Sequence, residues 1–285
     1  MSWKLTILVN NYTKRSELLA EHGLALLLHR TGESGSHPAY SLLLDTGQRY
    51  EVLAANAEVL GIDLERVDAI ALSHGHYDHT GGLRKVLGNS THTVDLYAHL
   101  EAFAPKFSEK GKKHPIGSPV SLAELEELPV RLTEVTGPLE LTAGLILTGT
   151  VPRIHDFEEE ARRWMYTEKD GVYGPDLLPD DQSVVLVKPG VGFYLICGCC
   201  HSGLLNTLDY ARSISGEERL LGVIGGLHTV DAGEERLRHT VSRLREWAPP
   251  FMIPLHCAGA KETAILYREI GEGVRFLSVG DTVEL

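Results

Sequence analysis

The sequence predicts a mixed α/β fold of two βα halves, an organisation that suits a four-layer αββα sandwich. Three observations predict it. Short apolar runs alternate with helix-periodic segments in both halves of the chain. At 285 residues, 43% hydrophobic and 23% charged, the chain can bury a large core. A cluster of histidines and an aspartate directly follows one of the apolar runs.

The elements follow in order. Leu5 to Val9, Leu24 to Leu28, Leu42 to Asp45 and Ala69 to Leu72 read as strands, short and apolar. A helix is expected from Tyr50 to Leu60, where Val52, Leu53, Ala57 and Leu60 recur at helical spacing and Gly61 supplies a stop. Asp95 to Ala98 reads as another strand. From Leu100 to Pro138 the pattern loosens: Pro105, Lys106, Lys110, Lys112, Lys113, Pro115, Gly117 and Pro119 suggest a loop-rich, lysine-rich insertion or flap at the mouth of a site, within a single domain spanning residues 1–285. A second irregular stretch runs from Gly149 to Asp181. Beyond it, Val184 to Val187, Phe193 to Cys197, Leu221 to Ile224 and Met252 to Leu255 read as strands. Glu234 to Trp247 reads as a helix, with Leu237, Val241 and Leu244 on one face and Glu234 and Glu235 favourably placed in the first turn.

The chemistry concentrates in Ser73-His74-Gly75-His76-Tyr77-Asp78-His79-Thr80-Gly81-Gly82. The order H-x-H-x-D-H is that of a two-metal site: His74 and His76 can share one ion while Asp78 and His79 turn toward a second. Imidazole nitrogen and carboxylate oxygen suit Zn²⁺, and also Fe²⁺ or Mn²⁺. A short loop cannot surround two ions, so more distant ligands are needed. His256 follows a strand-like run and precedes the small residues Cys257-Ala258-Gly259. His201 lies just past a strand in Gly198-Cys199-Cys200-His201-Ser202-Gly203. Cys199 or Cys200 is the alternative from that loop, although small buried thiols are the commoner state of such cysteines.

The motif resembles the metallo-β-lactamase superfamily. Leu42-Leu43-Leu44-Asp45-Thr46-Gly47 is similar to that superfamily's first motif. The runs Glu21-His22-Gly23-Leu24, Gly198-Cys199-Cys200-His201-Ser202-Gly203, Gly225-Gly226-Leu227-His228 and Leu255-His256-Cys257-Ala258-Gly259 narrow the likeness to the branch named for dihydropterin-ribofuranosyl-aminobenzene-phosphate synthase. The resemblance implies the αββα sandwich, a site at the edge between its sheets, and two divalent ions, zinc first. It implies His74, His76, Asp78, His79, His201 and His256 as ligands, with His76 and Asp78 at the catalytic centre. This chain has Gly198-Cys199 where the superfamily's fourth motif reads Gly-Asp, so the resemblance supplies no bridging carboxylate at that position. The loop expected to hold the third-motif histidine offers only His155, beside the branch-like Val151-Pro152-Arg153. Asp45 is expected to brace the metal loop from behind. His228, Cys199 and Arg153 are candidates for contact with substrate or ligands. His22 belongs to a branch-like run; His29, His37, His92, His99 and His239 lie outside any constellation, and His114 sits in the lysine-rich flap.

The net charge is −12, which argues against a duplex nucleic-acid binder. A small anionic substrate remains compatible, because bound metals dominate the local field. Leu5 to Val9 is too short for a signal-peptide core and no run approaches a membrane span, so a cytoplasmic protein with a small-molecule substrate is expected. Three of the four cysteines crowd one strand end, unlike a secreted disulfide framework. Metal-assisted hydrolysis of a small phosphate-bearing or lactone-like ester is the leading expectation. Lys112, Lys113 and Arg153 are candidate anion contacts, against a solvated-surface role for the two lysines. The branch name implies an alternative, condensation of a dihydropterin with a ribofuranosyl-aminobenzene phosphate, for which Trp164, Tyr166 and Tyr173 would supply an aromatic slot. A non-catalytic metal-binding protein is the third class.

Overall fold

In the computed structural model, which describes residues 2–30, 39–169 and 171–285, strands dominate the first hundred residues. They are β1 (Trp3–Val9), β2 (Ala25–Arg30), β3 (Tyr40–Leu44), β4 (Ala69–Ala71) and β5 (Val94–Ala98), with helices α1 (Tyr50–Val59), α2 (Tyr77–Thr80) and α3 (Leu83–Gly88) between them. The middle of the chain gives β6 (Lys106–Ser108), β7 (His114–Pro115), α4 (Leu122–Leu125), β8 (Val130–Glu134), β9 (Leu139–Thr142), β10 (Leu145–Leu147), β11 (Met165–Lys169) and β12 (Val172–Pro175). The remainder gives β13 (Ser183–Lys188), β14 (Gly192–Cys197), α5 (Leu204–Ser215), β15 (Leu220–Gly226), α6 (Glu234–Trp247), β16 (Met252–Leu255), α7 (Ala260–Ile270) and β17 (Thr282–Glu284). His37 lies outside the described residues. Among the described residues no helix is long and apolar enough to cross a membrane.

Contacts divide the chain into two compact units. The first comprises Met1–Glu134, Thr167–Gly174 and Ser278–Leu285. Its main sheet has the order β17-β1-β2-β3-β4-β5-β8. The pairs up to β2–β3 are antiparallel; β3–β4, β4–β5 and β5–β8 are parallel. Leu43, Ile70 and Leu96 occupy one face and pack against Leu53 and Ala57 of α1 and Leu83, Val86 and Leu87 of α3. Burying a side chain of that size contributes about 1.5–3 kcal/mol, and this cluster is what holds the helices to the strands. Asn56 of α1 is fully buried and ties the N-terminal segment down: its amide donates to the carbonyls of Leu8 and Leu19 (2.8 and 2.9 Å), and its oxygen accepts from the Leu19 N–H at 2.8 Å.

The second unit comprises Val135–Tyr166 and Pro175–Leu277. Its sheet runs β16-β15-β14-β13-β10-β9, with β14, β15 and β16 parallel. Leu195, Val223, Leu205, Leu208, Val241, Leu244 and Leu266 join in one core that binds α5, α6 and α7 to this sheet.

Three local readings change. The segment expected to be a lysine-rich flap up to Pro138 ends as β8, paired in parallel with β5 from Val94↔Val130 to Ala98↔Glu134. The alternation Val130-Arg131-Leu132 is a half-buried edge strand, too short a pattern to stand out from the loop-rich sequence before it. The earlier part of that segment carries the β6–β7 hairpin and the short α4, closed by a capping box between Ser121 and Glu124. The second irregular stretch contains β11 and β12.

Candidate metal centre

In the first unit the parallel strands β3 and β4 end side by side, since Leu44 pairs with Ala71 and the Asp45 N–H donates to the Ala71 carbonyl at 2.9 Å. This brings Asp45 beneath the loop Ser73–Asp78. Asp45 is fully buried and at φ 62°, a left-handed conformation that a short polar residue tolerates best. Its Oδ1 accepts the Ser73 N–H (2.7 Å); its Oδ2 accepts the Ser73 hydroxyl (2.6 Å) and His79 Nδ1 (2.7 Å). The single hydroxyl hydrogen of Ser73 goes to the carboxylate, so Ser73 Oγ must accept from His74 Nδ1 at 2.9 Å. Both imidazoles therefore carry their proton on Nδ1 and present a bare Nε2.

His74 Nε2 lies 2.9 Å from His76 Nδ1, and His79 Nε2 lies 3.9 Å from Asp78 Oδ2. Two ligands on one tetrahedral zinc stand about 3.3 Å apart. Both pairs bracket that value, and imidazole and carboxylate are the donors a borderline divalent ion prefers, so these residues fit one. His22 Nε2 stands 3.1 Å from Asp78 Oδ2 on the exposed side. Gly75 explains the loop's path: a Cβ there would meet the Ala102 carbonyl oxygen at 1.9 Å. Glu21, also buried, accepts from the Gln48 and Arg49 N–H groups and from Arg49 Nε, fixing the turn that follows Asp45.

In the second unit β14, β15 and β16 end together and deliver the other candidates. Cys199, His201 and His228 bring one ligand atom each within 4.8 Å of one another, as do Cys199, His256 and Cys257. The rings of His201 and His228 are 4.3 Å apart. Asp181 anchors the Cys199–Ser202 loop by accepting the N–H groups of His201 (2.9 Å) and Ser202 (2.7 Å). The Cys257 sulfur accepts the His228 N–H at 3.3 Å. A hydrogen bond with the Cys197 sulfur, together with burial, pushes the Cys200 thiol well above its ordinary range, so Cys200 stays protonated among apolar neighbours.

The remaining candidates have other employment. His155 bonds Asp209 at 2.9 Å beside the Phe157 ring and joins no ligand group among the described residues. Arg153 Nη2 donates to the Leu178 carbonyl at 3.0 Å. Lys113 sits over the Tyr173 ring, 3.6 Å from its centre, and the Lys112 carbonyl accepts from His114. Trp164 and Tyr166 line one open cavity with Arg163 and Leu177, whereas Tyr173 packs on Phe107. Sequence reasoning missed Asp181 and Glu21, because a carboxylate that binds distant backbone N–H groups leaves no local pattern.

A family model described as the metallo-beta-lactamase superfamily matches residues 34–203. A Methanocaldococcus jannaschii protein, the uncharacterized MJ0448, is 31% identical over 257 residues, covering 90% of this chain and 91% of its own length. The 7,8-dihydropterin-6-methyl-4-(beta-D-ribofuranosyl)-aminobenzene-5'-phosphate synthase of the same organism is 26% identical over 286 residues, covering 99% of this chain and 96% of its own. Among solved structures, Tm1679, described as a metal-dependent hydrolase of the beta-lactamase superfamily, superposes with a TM-score of 0.80 at 24% identity, covering 99% of both chains. That likeness establishes the shared fold.

Proposed function

Because the chain belongs to the metallo-β-lactamase superfamily, we propose that it is a metal-dependent hydrolase of a small phosphate-bearing ester or lactone. The reading assigns two divalent ions, zinc first, to His74, His76, Asp78, His79, His201 and His256. The observation that carries it is the Asp45 brace, which sets the Nδ1–H tautomer of both His74 and His79 and leaves their Nε2 lone pairs for an ion. Such ions lower the pKa of water toward neutrality and polarise the scissile bond. The chain's own part is positional. Ser73 and Asp45 hold the imidazoles, His76 and Asp78 face the reacting centre, and Asp78 orients the attacking water. We place the enzyme in the cytoplasm, with a small molecule as its substrate.

A second reading, transfer, is favoured by one observation: a relative matching 99% of this chain is named as the pterin synthase. Under it the same residues would hold the same ions, which would activate a leaving group on the pterin side for displacement by the amine of the ribofuranosyl-aminobenzene phosphate instead of by water.

The test combines metal analysis with an activity screen. Protein purified without chelator is expected to hold two ions per chain, fewer in His76→Ala and His201→Ala, and to hydrolyse members of a phosphoester and lactone panel. Full metal occupancy with no ester turned over would overturn hydrolysis. Condensation of a dihydropterin with ribofuranosyl-aminobenzene phosphate by that same preparation would establish transfer.

A further inference from the structure

We propose that Cys199 is a metal ligand, adding one thiolate sulfur to the imidazoles, His201 among them, that the second unit offers to the ions assigned above. The assignment rests on the reading that this chain binds a divalent metal. The argument starts from three cysteines within four positions. Cys197 and Cys200 belong to the apolar core of the second unit, with Cys200 also 3.3 Å from the Thr207 hydroxyl. Cys199 is buried too, but it lies outside that core cluster. Its sulfur sits within 4.8 Å of ligand nitrogens of His201 and His228, and belongs also to a second group with His256 and Cys257. No other residue of this unit is shared by both groups.

The backbone supports the separation. Cys200 has φ 63°, a left-handed conformation that a non-glycine residue rarely adopts. The kink lets the residues on either side, Cys199 and His201, aim at one point while the Cys200 side chain turns into the core. His228 (44°), two residues past the end of β15, and His256 (49°), directly after β16, stand in the same region of φ. Strained strand-end residues that converge on common ligand distances are the mark of a functional constraint.

Competing donors are already engaged. The Asp181 carboxylate is taken by the His201 and Ser202 N–H groups. The Cys257 sulfur accepts the His228 N–H and lies 3.5 Å from the Cys199 carbonyl, which orients the loop from behind. Neither group contains a carboxylate. One sulfur with imidazoles selects zinc-like, borderline ions over magnesium or calcium, which demand oxygen. On binding, the S–H bond breaks, the sulfur–metal bond forms and the proton passes to the buffer.

The experiment uses cobalt(II) as the probe on the full chain stripped of metal. The parent is expected to show the visible d–d bands of bound cobalt together with a near-ultraviolet sulfur-to-cobalt charge-transfer band. Cys199→Ser is expected to lose the charge-transfer band and bind zinc at least about 10-fold more weakly. Cys257→Ser and Cys200→Ala are expected to keep the band. Cys199→Asp, which returns an oxygen donor, is expected to bind cobalt without the band and guards against misfolding of the serine variant. Cobalt bound by the parent without that band, or a band that survives Cys199→Ser, overturns the sulfur assignment and leaves the metal enzyme standing. Absence of d–d bands in the parent overturns the metal reading, and this assignment with it.

Discussion

One carboxylate, Asp45, takes three donors: the Ser73 N–H, the Ser73 hydroxyl and His79 Nδ1. Asp45→Asn preserves shape but replaces one acceptor oxygen with an amide, which cannot accept from His79. The His79 tautomer then changes, and zinc affinity is expected to fall about 10–100-fold, read by competition with a chelating dye. An unchanged affinity would show that the carboxylate charge is not what holds the ring. At this scale the sequence was informative where the donors are neighbours. His74, His76, Asp78 and His79 are legible because a single loop carries them after a strand. Asp181 was not, because it acts on backbone N–H groups twenty positions away.

At the level of elements, the ends of parallel strands carry the candidate groups in both units, as is usual where crossovers are helical. Most strands were readable as apolar runs, and α6 lies where its spacing put it, from Glu234 to Trp247. Helices α5 and α7 carry no such sequence signal at their starts, because each begins after a glycine, Gly203 or Gly259, with no side-chain cap of its own. The start of α5 shows a further device. Glu158 is buried and accepts the Asn206 N–H at 2.9 Å, capping a helix whose preceding residue, Gly203, has φ 95° and no room for a Cβ against the Glu158 carboxylate. Burial raises the Glu158 carboxyl above its usual 4.5. A raised acid contributes stability below its unfolded pKa and loses it as the pH climbs through the folded one. Glu158→Gln keeps the acceptor and removes the charge. Urea titrations from pH 4 upward are therefore expected to show the variant gaining on the parent as the pH rises; a pH-independent difference would contradict this. In α1, Asn56→Ala removes three bonds to backbone and is expected to cost about 2–4 kcal/mol by denaturant melting.

For the molecule as a whole, an ion that binds only the folded chain stabilises it by mass action. Zinc at about 100 times its dissociation constant is expected to add about 2.7 kcal/mol per site, and chelator to remove it. The increment should shrink in His76→Ala; equal melting with and without zinc would show that no ion is bound. The net charge of −12 draws divalent cations toward the chain at low salt, so their uptake should slow as ionic strength rises.

The shared brace has a thermodynamic reach. His74, through Ser73, and His79 lean on the same Asp45 oxygen, so whichever imidazole is first pinned by an ion stiffens the support of the other. The ordering entropy is then spent once for both sites. Filling becomes cooperative: native mass spectrometry at half-saturating metal should find empty and doubly loaded molecules in excess over singly loaded ones, a bimodal census where independent sites would give a binomial one.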